Sequence, residues 1–114
     1  MWLFTKYGFF SVIKRKHRPQ DKDYQVRGRE RNDLENLRKV LHIEEPVLET
    51  PRGDYRYRIL VDKEQLHQLM YTLVEELDYE NFKKTMSSYP DQKQKMEAYN
   101  EVWGIMYDHQ NRSL

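Results

Sequence analysis

Four arginines carry the clearest chemistry in this chain. Arg27 and Arg29 are two residues apart, as are Arg56 and Arg58, and a β-strand turns residues two apart toward the same face. If the two strands neighbour each other in matching orientation, four guanidiniums project from one sheet face. A guanidinium offers planar, bidentate N–H donors to phosphate or carboxylate. The pattern therefore predicts an anion site, with Tyr24 or Tyr7 placed to stack on a base. The plainer reading of the same residues is a solvated face paired with Glu30, Glu49 or Asp54, where each cross-strand ion pair contributes little.

A second cluster, Asp78-Tyr79-Glu80-Asn81-Phe82-Lys83, brings two carboxylates, an amide and a lysine to a helix break. Mg²⁺ or Ca²⁺ needs more converging oxygens than two carboxylates two residues apart supply. Acidic residues also suit helix N-termini, so capping is the expected role here, with Tyr79 and Phe82 packing against a sheet. His17, His42, His67 and His109 show no HxH or HExxH spacing and fall in four different elements, so no metal site is expected. Ser11, Ser87 and Ser88 lack a nucleophile elbow, and glycines at 8, 28, 53 and 104 form no phosphate loop. Arg52-Gly53-Asp54 and Asn111-Arg112-Ser113 match adhesion and glycosylation tripeptides, which act only on extracellular proteins; turn and tail chemistry explain them better.

The elements that must position these residues follow from periodicity. Trp2 to Thr5 and Phe9 to Ile13 read as a hairpin joined through Lys6-Tyr7-Gly8, the glycine supplying a positive φ. Lys14 to Asp23 has no apolar period and reads as an exposed basic loop. Tyr24 to Arg29 resumes alternation, with Tyr24 and Val26 on one face and Gln25, Arg27 and Arg29 on the other. Asn32 and Glu35 match a capping box before Leu34, Leu37 and Leu41, a helix running to about His42. Val47 to Thr50 and Tyr55 to Val61 flank Pro51-Arg52-Gly53-Asp54, a second hairpin in which Tyr55, Tyr57, Ile59 and Val61 share a face. Asp62 and Gln65 cap a helix whose stripe is Leu66, Leu69, Met70, Leu73, Val74 and Leu77. A terminal helix presents Met96, Tyr99, Val102, Trp103, Met106 and Tyr107, and residues 109–114 should fray.

The predicted fold is α+β: an antiparallel sheet of four to five strands covered on one face by two to three helices, a ferredoxin-like variant. A chain of 114 residues suits one domain. With no cysteine, disulfides, thiolate-bound zinc, iron–sulfur chemistry and a cysteine nucleophile are excluded. The first apolar run, Trp2-Leu3-Phe4, is broken by Thr5 and Lys6, so neither a secretory core nor a membrane span is expected and the cytoplasm is the expected compartment. The formal charge of +1 hides an asymmetry, since residues 1–60 hold 14 Lys and Arg against 9 Asp and Glu, and residues 61–114 hold 6 against 10. Such a bias attracts an anionic partner or the acidic half of another copy.

Seven segments together carry a resemblance: Met1-Trp2-Leu3-Phe4-Thr5, Gly8-Phe9-Phe10-Ser11-Val12, Val26-Arg27-Gly28-Arg29, Asp33-Leu34-Glu35-Asn36-Leu37, Asp54-Tyr55-Arg56-Tyr57-Arg58, Asp78-Tyr79-Glu80-Asn81-Phe82-Lys83 and Val102-Trp103. In this set and order the chain resembles a family of short uncharacterised bacterial proteins with no assigned activity. The resemblance implies a free-standing bacterial cytoplasmic protein and transfers no catalytic residue.

The residues thus predict a non-enzymatic binding or regulatory module. Arg27, Arg29, Arg56 and Arg58 are its anion-binding candidates, Tyr24, Asp78, Glu80 and Lys83 its secondary candidates, and no cofactor is expected. The partner is an anionic small molecule, nucleotide-like, or nucleic acid. Sequence-specific duplex reading is disfavoured, because no helix bears a row of basic side chains. The alternative is an interaction protein acting as a homodimer through its charged halves or exposed aromatics. A small enzyme anchoring an anionic substrate through arginines, with Asp54, Asp78 or Glu80 as acid or base, ranks last for want of a visible nucleophile and base.

Overall fold

A computed structural model describes residues 1–15 and 22–112. The chain forms two compact units, Met1–Leu77 and Asp78–Leu114. The first is an α+β unit with five strands, β1 (Trp2–Thr5), β2 (Gly8–Lys14), β3 (Tyr24–Gly28), β4 (Leu48–Glu49) and β5 (Tyr57–Val61), and two helices, α1 (Arg31–Leu41) and α2 (Lys63–Glu75). All neighbouring strands are antiparallel, in the order β1-β2-β3-β5-β4. Because β5 separates β3 from β4, the run β3-α1-β4-β5 is a split β-α-β unit, the half-plan from which ferredoxin-like sheets are built. The position beside β3 is filled by β2, delivered through the N-terminal hairpin.

Alternation sorts the sheet into two faces. Phe10, Val12, Val26, Ile59 and Val61 are buried on one, beneath Leu34, Leu37 and Leu41 of α1 and Leu69 of α2. Helix α1 starts two residues earlier than the capping box predicts: Glu30, not Asn32, is the N-cap, and it makes no side-chain cap bond. Asn32 instead sits inside the first turn, and the Glu35 carboxylate accepts from Arg38 Nη1 at 2.7 Å. The helix ends as expected at His42, whose φ of 53° is left-handed, and Ile43 N–H donates to the Arg38 carbonyl at 2.9 Å.

The hairpin glycine has a larger task than turning the chain. Gly8 opens β2 with a φ of +145°, and a Cβ there would lie 2.2 Å from Asp33 Cγ. Asp33 is buried in the first turn of α1 and accepts from Phe9 N–H at 3.4 Å, while Asn36 Nδ2 donates to the Tyr7 carbonyl at 2.9 Å. The glycine thus lets a helix dock on the hairpin backbone. On the far side of the turn, the Tyr7 hydroxyl donates to the Glu76 carboxylate and Lys6 Nζ lies 3.0 Å from Glu76 Oε1.

Those contacts hold the Glu76 carboxyl below its ordinary value, the Tyr7 hydrogen bond contributing most and Lys6 adding to it against the cost of burial. A carboxyl lowered in the folded state stabilises the fold above the ordinary glutamate range, and that contribution disappears as pH falls through the folded value. Glu76→Gln should therefore lower the melting temperature at neutral pH and leave it unchanged in acid below the carboxylate range. Thermal melts of both proteins across that range check this; a constant difference at every pH would contradict it.

Helix α2 carries the predicted capping box: Gln65 N–H donates to Asp62 Oδ1 at 2.7 Å and Asp62 N–H to Gln65 Oε1 at 2.9 Å. Its buried stripe is narrower than expected. Leu66, Leu69 and Leu73 meet the core, whereas Val74 and Leu77 are exposed. At 100° per residue Val74 lies about a quarter-turn or more from that stripe, and Leu77 falls past the helix end.

The second unit comprises α3 (Phe82–Met86), a 3-10 turn (Lys93–Lys95) and α4 (Met96–Arg112). Helix α4 continues through Arg112, so the described part of the expected frayed tail is helical. Tyr99 is buried, but Val102, Trp103, Ile105, Met106 and Tyr107 are exposed, so most of the predicted apolar face is not core. Trp103 and Tyr107 stack on each other at 5.1 Å, the i, i+4 spacing of one helix face. No described helix is long and apolar enough to cross a membrane. The expected basic loop is described only at its ends, where Arg15 N–H donates to the Asp23 carbonyl at 2.8 Å; His17 lies outside the described residues.

Candidate anion-binding face

The sheet face away from α1 and α2 holds the arginines. Strands β3 and β5 neighbour each other, and Arg27 is the cross-strand partner of Arg58. The same row continues through Ser11 on β2 to Trp2 on β1, and through Leu48 on β4. The strand pairing that the arginine pattern requires is therefore present for this central pair.

Neutral groups hold both guanidinium heads. Arg27 Nη2 donates to Ser11 Oγ at 2.6 Å; Arg58 Nη1 donates to Gln25 Oε1 at 2.9 Å and Nη2 to the Tyr55 carbonyl at 3.3 Å. Ser11 is only 2% exposed and Gln25 6%, so the heads sit on a dry polar floor. Both Nε atoms are buried without a hydrogen-bond partner. Among the described residues neither arginine has a carboxylate within ion-pair distance. Burial lowers the Arg58 pKa from its usual value, and the charges of Arg15 and then Arg27 lower it further. An arginine surrounded by its own sign and by neutral acceptors is an incomplete electrostatic arrangement, which an oxyanion would complete.

Arg29 and Arg56 diverge from this centre. Arg29 Cζ lies 4.3 Å from the Tyr55 ring centroid, with Arg27 Cζ at 4.6 Å, and Arg29 Nη1 donates to the Asp54 carbonyl at 2.7 Å. Arg56 is exposed and tied to Glu49 through Nε at 2.9 Å, and Arg31 Nη2 reaches the same carboxylate at 3.0 Å. The Arg56 hydrogen bond, with Arg31 assisting, holds the Glu49 carboxyl low, and Glu49 in turn raises Arg56. The solvated ion pair with Glu49 thus describes Arg56, while Arg27 and Arg58 depart from it.

The other candidates lie elsewhere. Tyr24 packs against the hydrophobic core with Lys14 Nζ 5.6 Å from its ring, and Tyr7 also packs against that core. Neither shares the arginine face, because each occupies the alternate phase of its strand or turn. In the second unit Asn81 Oδ1 caps α3 by accepting from Lys84 N–H at 3.0 Å. Asp78 and Glu80 are exposed beside it, and Lys83 Nζ lies 4.8 Å from the Trp103 ring. The Tyr79 and Phe82 rings meet at a tilted angle, as do those of Phe82 and Tyr99, so these two aromatics contact rings of their own unit. Among the described residues no three His, Asp or Glu converge.

Sequence reasoning places Gln25 on the arginine face but misses three of its members: Ser11, Arg15 and Tyr55. Strand alternation puts Tyr55 on the core side with Tyr57. Strand β5 begins only at Tyr57, so the alternation does not extend back, and the turn folds the buried Tyr55 ring onto Arg27 and Arg29. Ser11 is visible as a polar break in an apolar strand, whereas Arg15 is placed by the path of the chain after β2. At the β1 side, Phe9 contacts Trp2 edge-to-face at 5.7 Å and stacks with Phe4 at 4.6 Å. No family model, curated protein or solved structure matches the chain.

Proposed function

We propose that this chain is a non-enzymatic binding module whose arginine face takes an anionic, phosphate-bearing ligand. One observation carries the reading: Arg27 and Arg58 face each other on neighbouring strands, their Nε atoms buried and unpartnered, with no described carboxylate between them. Two like charges side by side on a floor of neutral acceptors repel each other. A phosphate between them turns that repulsion into two charge-assisted contacts, each stronger than a neutral hydrogen bond. The Arg15 and Arg29 guanidiniums extend the positive field around the pair.

Thermal denaturation against inorganic phosphate, pyrophosphate, mononucleotides and divalent metals tests the reading. Binding to the native state alone raises the melting temperature by mass action, about 2.7 kcal/mol at a hundredfold excess over Kd. The expected result is a saturable, salt-sensitive shift with the phosphate compounds that Arg27→Ala combined with Arg58→Ala abolishes and Arg56→Ala retains. No shift with any anion would overturn the proposal.

The exposed apolar residues of α4, Trp103, Ile105 and Met106 among them, favour self-association as a second reading. Its measure is the molar mass in solution.

A further inference from the structure

The arginine pair occupies only the β3 and β5 part of its face. The β1 and β2 part carries rings instead, with Phe9 in contact with both Trp2 and Phe4. Trp2 is 65% exposed, although its strand is firmly held: the Met1 amino group donates to the Val12 carbonyl at 2.9 Å and Val12 N–H returns to the Met1 carbonyl at 2.8 Å. An indole fixed on a paired strand and left open to solvent is a presented surface, unlike the side chain of a loose terminus. No acidic residue occupies a paired position on this face.

Resting on the anion-binding reading above, we propose that the ligand is single-stranded nucleic acid, crossing the strands along the row from Arg58 through Arg27 and Ser11 to Trp2. Strands lie about 4.8 Å apart, so Trp2 and Arg58, three strands apart in one row, are separated by about 14 Å along the sheet. One nucleotide does not bridge a phosphate at the arginines and a base on the indole at that distance; two or three consecutive nucleotides do. Arginines for phosphates and aromatic faces for unpaired bases are the two components of single-strand recognition, and stacking tolerates any base. A duplex keeps its bases stacked inside and offers the rings nothing, and a flat sheet face carries no helix to enter a groove.

The test is fluorescence anisotropy of labelled twelve-nucleotide single strands, DNA and RNA, against their duplexes, beside thermal melts with inorganic phosphate. The single strands should bind more tightly than the duplexes and than mononucleotides, with affinity falling as salt rises. Trp2→Ala, a surface change, should weaken single-strand binding about tenfold or more and leave the phosphate-induced melting shift intact. If Trp2→Ala binds the strands as the parent does, or duplexes bind equally well, the nucleic-acid proposal fails while the phosphate shift still upholds the anion site. If phosphate gives no shift either, both fall together.

Discussion

The double variant Gln25→Leu/Arg58→Met is expected to be more stable than the parent, by about 1 kcal/mol, and unresponsive to phosphate. Replacing a half-buried charge by an apolar group of similar volume is often neutral or stabilising, because the desolvation cost disappears with the charge. Here that replacement also removes the repulsion from Arg15 and Arg27 and the unpartnered Nε. Arg58 alone would be the wrong test, since the Gln25 amide oxygen would lose its donor and remain buried. Replacing Gln25 together with its donor avoids that penalty, and the remaining loss is the longer 3.3 Å bond from Arg58 Nη2 to the Tyr55 carbonyl. The two new apolar side chains would join Ile13 and Leu60, which pair in register with position 25. A gain of about 1 kcal/mol raises the melting temperature by roughly 4–8 °C in a unit of this size. A loss of about 2 kcal/mol or more by urea denaturation would identify Arg58 as a tie that holds β3 to β5. Stability given up at a site recurs where function needs it, so this gain together with the loss of the phosphate response distinguishes a ligand face from a solvated one.

Gly8→Ala should be the most damaging single methyl in the first unit. Its Cβ would lie 2.2 Å from Asp33 Cγ and 2.5 Å from Asp33 Oδ2, at a φ of +145° that side-chain-bearing residues rarely adopt. The backbone strain costs about 1–3 kcal/mol and forcing extra volume into packed structure a further 1–3 kcal/mol or so, so the expected loss is about 3 kcal/mol or more. Asp33 has nowhere to retreat, since it is buried and caps the Phe9 N–H. Chemical denaturation of Gly8→Ala beside Gly53→Ala gives the comparison. At Gly53 a Cβ meets nothing nearer than 3.3 Å, and the loss there should be the smaller by at least about 2 kcal/mol. Equal losses would mean that the hairpin shifts to accept the methyl and that the docking of α1 on it is loose.

Both expectations depend on features of different legibility. The capping box at Asp62 and Gln65 is readable because its two hydrogen bonds join residues three apart, and nothing distant competes for them. The box at Asn32 and Glu35 has the same local form, yet Arg38 captures the Glu35 carboxylate and the helix begins at Arg31. A local motif yields when a neighbouring charge offers its acceptor a better partner. The stripe of α2 shows the same limit: Leu66, Leu69 and Leu73 are legible as core, but the apolar residues Val74 and Leu77 lie beyond what the sheet covers.

By itself the sequence determined most of the elements and the two faces of β3 and β5, because period-two alternation is a property of consecutive residues and needs no distant partner. It placed Arg27 and Arg58 on faces that would meet if their strands met. Only the tertiary structure decided that they do, with β5 inserted beside β3 so that Arg27 and Arg58 oppose each other. It also decided that Arg56 is neutralised by Glu49, that the Arg15 charge bears on Arg58, and that Tyr55 folds onto the arginines. These outcomes depend on which strands pair and in what register, and register is set by burial summed over the whole sheet.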